Sequence, residues 1–122
     1  MGVLLRLVAL TCACLLAFSV PAQAHYMGLE REVSEDRARK VSSIIHKIWE
    51  NDDKAHKWQS VVSCESKYRK YARNGQYLGL AQLGSSARAA CDWPGDWNML
   101  DQLRAARCWW HRNTGWSAWS CA

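Results

Sequence analysis

The sequence predicts a small, mostly helical domain with one short β-hairpin and two disulfides. Apolar residues recur at helical spacing on both sides of Asn51-Asp52-Asp53. An Asn74-Gly75 dipeptide stands among aromatic and basic residues, where a tight turn joins two short strands. Cys64, Cys91, Cys108 and Cys121 all follow an N-terminal segment with the marks of an export signal, which makes disulfides their default state.

The export reading rests on residues 1–24. Arg6 precedes an apolar run from Leu7 to Phe18, Pro21 breaks it, and Ala22-Gln23-Ala24 offers small residues before an expected cleavage at His25. The run is shorter than the roughly 20 residues that span a bilayer. No second apolar segment follows, so the mature chain is expected to have no membrane span. Cys12 and Cys14 leave with the signal; using either as a lipid anchor would cut the apolar run short. The length allows one domain, and the net charge of +5 is too modest to argue for nucleic acid. Neither GxxxxGK[ST] nor GxGxxG occurs, so no phosphate cradle is expected. No CxxC occurs and the histidines lie scattered, so neither a metal nor an organic cofactor is expected.

Residues 25–33 lack periodicity and read as a flexible arm. Ser34 is placed to cap a helix of about four turns, in which Val41, Ile44, Ile45, Ile48 and Trp49 form an apolar stripe. Asn51 and the two aspartates after it cap a second helix with Trp58, Val61 and Val62 on its stripe. Strands at about 70–73 and 76–78 flank Asn74-Gly75 as a type I′ turn. A short helix runs from Ser85 to Ala90, and Asn98 caps a last helix that reaches about Asn113. Two bridges among four cysteines would each stabilise by roughly 3–4 kcal/mol on the chain-entropy model. Spacing leaves all three connectivities open.

Glu65 is the most informative position. It lies seven residues after Trp58 and three after Val62, so helical spacing continues the apolar stripe onto a carboxylate. A buried acid holds its proton more tightly and becomes a proton donor near neutral pH. The competing reading ends the helix earlier, leaving the carboxylate in solvent or paired with Lys67 or Arg69.

The stretch Trp58…Val61-Val62-Ser63-Cys64-Glu65-Ser66, then Tyr68, then Asn74-Gly75-Gln76-Tyr77-Leu78-Gly79-Leu80-Ala81-Gln82, resembles the lysozyme-like superfamily. The nearest likeness is to secreted lytic transglycosylase domains and resuscitation-promoting factors. The ending around Trp109 and Gly115-Trp116-Ser117-Ala118-Trp119-Ser120-Cys121 looks like the close of such domains. The resemblance covers about residues 55–122 of a domain expected at 34–122. It implies an α+β lysozyme-like fold that cleaves the β-1,4 bond between N-acetylmuramic acid and N-acetylglucosamine in peptidoglycan glycan strands. Glu65 would be the catalytic acid. No Asp or Glu occurs between Glu65 and Asp92, which favours a one-acid lytic transglycosylase. A hydrolytic muramidase would instead need Asp92, Asp96 or Asp101 to fold back as a second acid.

The resemblance nominates Gln82, Tyr77, Gly79 and Trp116 for substrate contact. Gln82 could equally brace the hairpin, Tyr77 could serve packing, and Trp116 lies so near the cysteines that core packing competes with cleft lining. Ser66 and Tyr68 read as braces around the acid, and Lys67, Arg69, Lys70 and Arg73 as either an attractor of anionic wall polymers or peptide-stem carboxylates, or a solvated hairpin face. The implied disulfides are Cys64–Cys121 and Cys91–Cys108. The expected protein is a secreted, cell-wall-associated monomer, with a non-catalytic wall-binding or signalling protein as the rival from another class.

Overall fold

A computed structural model describes residues 22–113 and 115–122, with side chains from Arg31 onward. The first 21 residues, and with them nearly all of the expected export signal, lie outside the described residues. Helix α1 runs Ala22–Ile48 and α2 Asp52–Ser66; strands β1 Arg73–Asn74 and β2 Tyr77–Leu78 form the hairpin; α3 Ser85–Ala90 and α4 Met99–Arg112 follow. A single 3-10 turn, Trp116–Ala118, interrupts the tail. Helix α1 packs on both α2 and α4, and α3 packs on α4.

The apolar stripes pack as their spacing predicts. Val41, Ile45, Ile48 and Trp49 of the first stripe are buried, together with Trp58, Val61 and Val62 of the second. Trp58 stands at the centre of the core, fully buried. Its ring lies 5.4 Å from Trp49, 4.9 Å from Trp116 and 4.7 Å from Trp119. Asn51 caps α2 by accepting from the Lys54 N–H, and Asn98 caps α4 by accepting from the N–H groups of Leu100 and Asp101.

Two local expectations are corrected. Helix α1 begins at Ala22, so residues 25–33 are helical and Ser34 lies inside the helix instead of capping it. Leu29, Glu30, Arg31 and Glu32 are good helix formers. Arg31 pairs with Glu35 at 3.1 Å, and Asp36 pairs with Lys40 at 2.9 Å, across one helical turn. The hairpin also turns one residue later than expected, since Asn74 pairs with Tyr77 and Arg73 with Leu78. Its apex is therefore Gly75-Gln76. Gly75 has φ +59° and Gln76 is not left-handed, the pattern of a type II′ turn with glycine first.

The disulfides are Cys64–Cys121 and Cys91–Cys108, the pairing that the family resemblance implies. They separate their cysteines by 57 and 17 residues, and the chain-entropy model gives about 4 and about 3 kcal/mol respectively.

Trp58→Ala is expected to lower the unfolding free energy by about 3–5 kcal/mol in a urea melt. Val33→Ala, at a position 54% exposed, should change it by less than about 0.5 kcal/mol.

Candidate active site

Helix α2 carries Glu65 in its last turn, and the way that helix ends shapes the site. Lys67 caps it in the left-handed region at φ 52°, donating its N–H to the Ser63 carbonyl at 2.9 Å. Tyr68 follows at φ 58°. Two consecutive non-glycine residues in this region are uncommon, each costing of order 1–3 kcal/mol, and such conformations cluster where function holds a chain in place. Ser66 is buried and donates to the Val62 carbonyl at 3.0 Å; the Tyr68 hydroxyl donates to the Gln59 carbonyl at 3.2 Å. Both side chains hydrogen-bond to backbone carbonyls of α2, not to the Glu65 carboxylate.

Glu65 is half-buried, and the fully buried place at this end of α2 belongs to Ser66. Core burial of the acid is therefore not what the fold delivers. Neither does the helix stop short, and among the described residues Glu65 forms no ion pair with Lys67 or Arg69. Its carboxylate accepts a hydrogen bond from the Cys121 N–H at 3.4 Å. The Cys64–Cys121 bridge sits directly beside that contact.

The carboxylate lies where two depressions meet. A groove of about 730 Å³ is lined by Glu65, Tyr68, Tyr71, Asn74 and Gln82, by Met99 of α4, and by five cations. A pocket of about 250 Å³ shares Glu65, Asn74 and Gln82 with it and adds Tyr77, Ala118, Trp119 and Ser120. A third, of about 320 Å³, shares Tyr77, Gln82, Ala118 and Trp119 with the second. Shared lining residues set the three depressions side by side, together called the trough, with Glu65 lining two of them and Gln82 all three.

The nominated contacts sort differently from one another. Tyr77 is 46% exposed and lines two parts of the trough, with its ring edge over Gly84. Gln82, itself left-handed at φ 51°, donates its amide to the carbonyls of Gly79 at 2.9 Å and Ala72 at 3.2 Å. It therefore braces the hairpin while lining the trough. Gly79 is buried and belongs to the framework. Its φ is +80°, and a methyl group there would run into the amide oxygen of Gln102. Trp116 lines none of the three depressions; its ring packs on Trp58 and, at 5.8 Å, on Trp110, with Lys57 Nζ 4.9 Å above it.

Sequence reasoning missed Gln102, which is 1% exposed on α4. Its Oε1 accepts from the Leu80 N–H at 2.8 Å, and its Nε2 donates to the Lys70 carbonyl at 3.1 Å. One amide thus ties α4 to both ends of the hairpin segment. Also missed were Arg37 and Lys40, which α1 brings to the large groove from a part of the chain far from Glu65. Periodicity reports a helix's buried face, and neither residue lies on it.

Asp92, Asp96 and Asp101 line none of the three depressions, and among the described residues Glu65 is the one carboxylate in their lining. Asp96 and Asp101 interact with each other instead. Their shared hydrogen bond pushes Asp101 above the ordinary aspartate value, with some burial adding to this. The same bond, with help from the Asn98 N–H, holds Asp96 below it. Among the described residues, no group of three or more His, Cys, Asp or Glu is placed to hold a metal ion. No helix among them is long and apolar enough to cross a membrane. Comparison with family models, with curated proteins and with solved structures finds no match to this chain.

Gly79→Ala is expected to lower stability by about 2–4 kcal/mol, because it combines overpacking with a left-handed backbone. A chemical melt reads this, whereas a glycine that only touched ligand would leave the melt unchanged. Carboxyl NMR should show Asp101 titrating above, and Asp96 below, an unstructured aspartate. The raised group stabilises the fold at low pH and loses that effect as pH rises through its folded value. The depressed group stabilises at higher pH and loses that effect as pH falls through its own.

Proposed function

We propose that this protein is an exported lytic transglycosylase that cleaves the MurNAc-β-1,4-GlcNAc bond of peptidoglycan, with Glu65 as its only catalytic carboxyl group. The observation that carries the reading is a half-buried acid lining two adjoining depressions, with no second carboxylate in the lining of the trough among the described residues. A retaining glycosidase needs a second carboxylate about 5 Å away, and an inverting one needs it about 6.5–9.5 Å away to activate water. One acid suffices when the substrate supplies its own nucleophile. The order of motifs from Trp58 to Gln82, and the two disulfides beside it, support the same reading.

In the proposed reaction, protonated Glu65 donates to the glycosidic oxygen, and the bond from that oxygen to muramoyl C1 breaks as the N-acetylglucosamine hydroxyl departs. The muramoyl N-acetyl oxygen assists at C1. The C6 hydroxyl of the same muramoyl residue then attacks C1, and the Glu65 carboxylate accepts the hydroxyl proton. A 1,6-anhydro ring closes, and the acid returns to its starting state with no water consumed. Glycan filling the trough would exclude water from around the carboxyl group, which suppresses hydrolysis. The Cys121 N–H keeps one carboxylate oxygen oriented, and Tyr77 offers an aromatic face to the sugar.

Glu65→Gln should lower the cleavage rate by about a hundredfold or more with the fold intact. Mass spectrometry of the digest should give anhydromuramoyl products one water lighter than hydrolytic ones. Reducing-end products would establish a muramidase, and glycan binding without cleavage, unchanged in the Glu65→Gln protein, would establish a binder.

A further inference from the structure

The large groove collects five cations, Arg37 and Lys40 from α1 and Arg69, Lys70 and Arg73 from the segment after α2, against the single carboxylate of Glu65. They come from two distant stretches of sequence, so their meeting is a product of the fold. Of these five, only Lys40 has a carboxylate partner among the described residues, Asp36 at 2.9 Å. Arg37 donates to the Val33 carbonyl and Arg69 to the Ser66 carbonyl, contacts that leave the charges uncompensated. Lys70 lies over the Tyr71 ring at 4.9 Å and Arg73 over the Trp97 ring at 5.0 Å, so both are held at the groove by aromatic faces. Like charges gathered within about one Debye length, about 8 Å at physiological salt, repel one another. Asp36 relieves that repulsion at Lys40, while Arg37, Arg69, Lys70 and Arg73 have no carboxylate partner among the described residues.

We infer that this rim is a subsite for the peptide stem of peptidoglycan and binds the stem's carboxylates. The inference rests on the function proposed above and names which form of the substrate that function prefers. The choice of occupant follows from where the charges sit. A stem hangs from the lactyl ether of the muramoyl residue, on the same sugar whose C1–O bond Glu65 would cleave. Its carboxylates therefore fall in the groove that Glu65 itself lines. A separate anionic wall polymer would have to occupy that groove in place of the glycan. Arg37 and Lys40 come from α1, outside residues 55–122, so α1 adds to the rim charge that Arg69, Lys70 and Arg73 supply from the segment after α2.

The test compares glycan strands that carry peptide stems with the same strands after an amidase has removed them. The wild-type chain should cleave stem-bearing strands faster. In the Arg37→Gln, Lys40→Gln double variant the ratio of stem-bearing to stem-free rates should fall about tenfold, the scale expected for two partly screened charge contacts. A purely structural defect would lower both rates together and leave the ratio where it was, which overturns the inference. Binding of both strands to the Glu65→Gln protein is measured in parallel. Equal affinity for the two strands overturns the stem subsite whether or not cleavage is seen. Stem-preferring binding with no cleavage by the wild-type chain supports the subsite and overturns the transglycosylase reading alone. Tighter binding of a stem-free phosphodiester wall polymer assigns the rim to that polymer and overturns the inference.

Discussion

The trough depends on holding an irregular tail against the end of a helix. Beyond Gly115 the chain has only one 3-10 turn, yet Ala118, Trp119 and Ser120 line the trough beside Glu65. Three contacts fix them there. The Cys64–Cys121 bridge joins the tail to the residue before the acid. The Trp119 indole lies on Trp58 and donates its N–H to the Ala81 carbonyl at 2.9 Å. The Cys121 N–H reaches the Glu65 carboxylate. One bridge, one buried ring and one backbone donor thus bring together three segments that are far apart in sequence.

The opposite wall is organised by Gln102. A buried amide that lost either partner would cost about 1–3 kcal/mol, so its two contacts act together to fix the hairpin segment on α4. Glycine at position 79 is what allows that approach. The acid is therefore set between a covalently tied tail and a hydrogen-bonded hairpin, on a helix whose other face is the aromatic core. Catalytic groups need such support, since a small misplacement at the reacting bond costs far more than it would elsewhere.

How far the sequence reveals this arrangement depends on which force places each residue. Helix α2 is legible because an asparagine cap and an apolar period agree on its boundaries, and α4 because Asn98 marks its start. The start of α1 is not, since upstream of Val41 the helix rests on intrinsic propensity and solvent-facing pairs, which leave no stripe to read. The hairpin is legible to within one residue, because glycine suits the first place of a II′ turn as well as the second place of an I′ turn. Glu65 is found by spacing, although spacing points it into the core and the fold leaves it at the trough's edge. Gly79 and Trp116 lie close to the site in sequence and face its framework in space. Arg37 and Lys40 show the reverse, since only the packing of α1 brings them to the groove.

The Cys64–Cys121 link spans 57 residues, and this fixes the order in which the working molecule can come into being. Helix α2 can coil as soon as it is synthesised, but the tail wall waits for everything between the two cysteines and then for an oxidant. Any copy retained in a reducing compartment would carry its acid without the facing wall. Completion of the trough is thereby coupled to an environment in which thiols are oxidised.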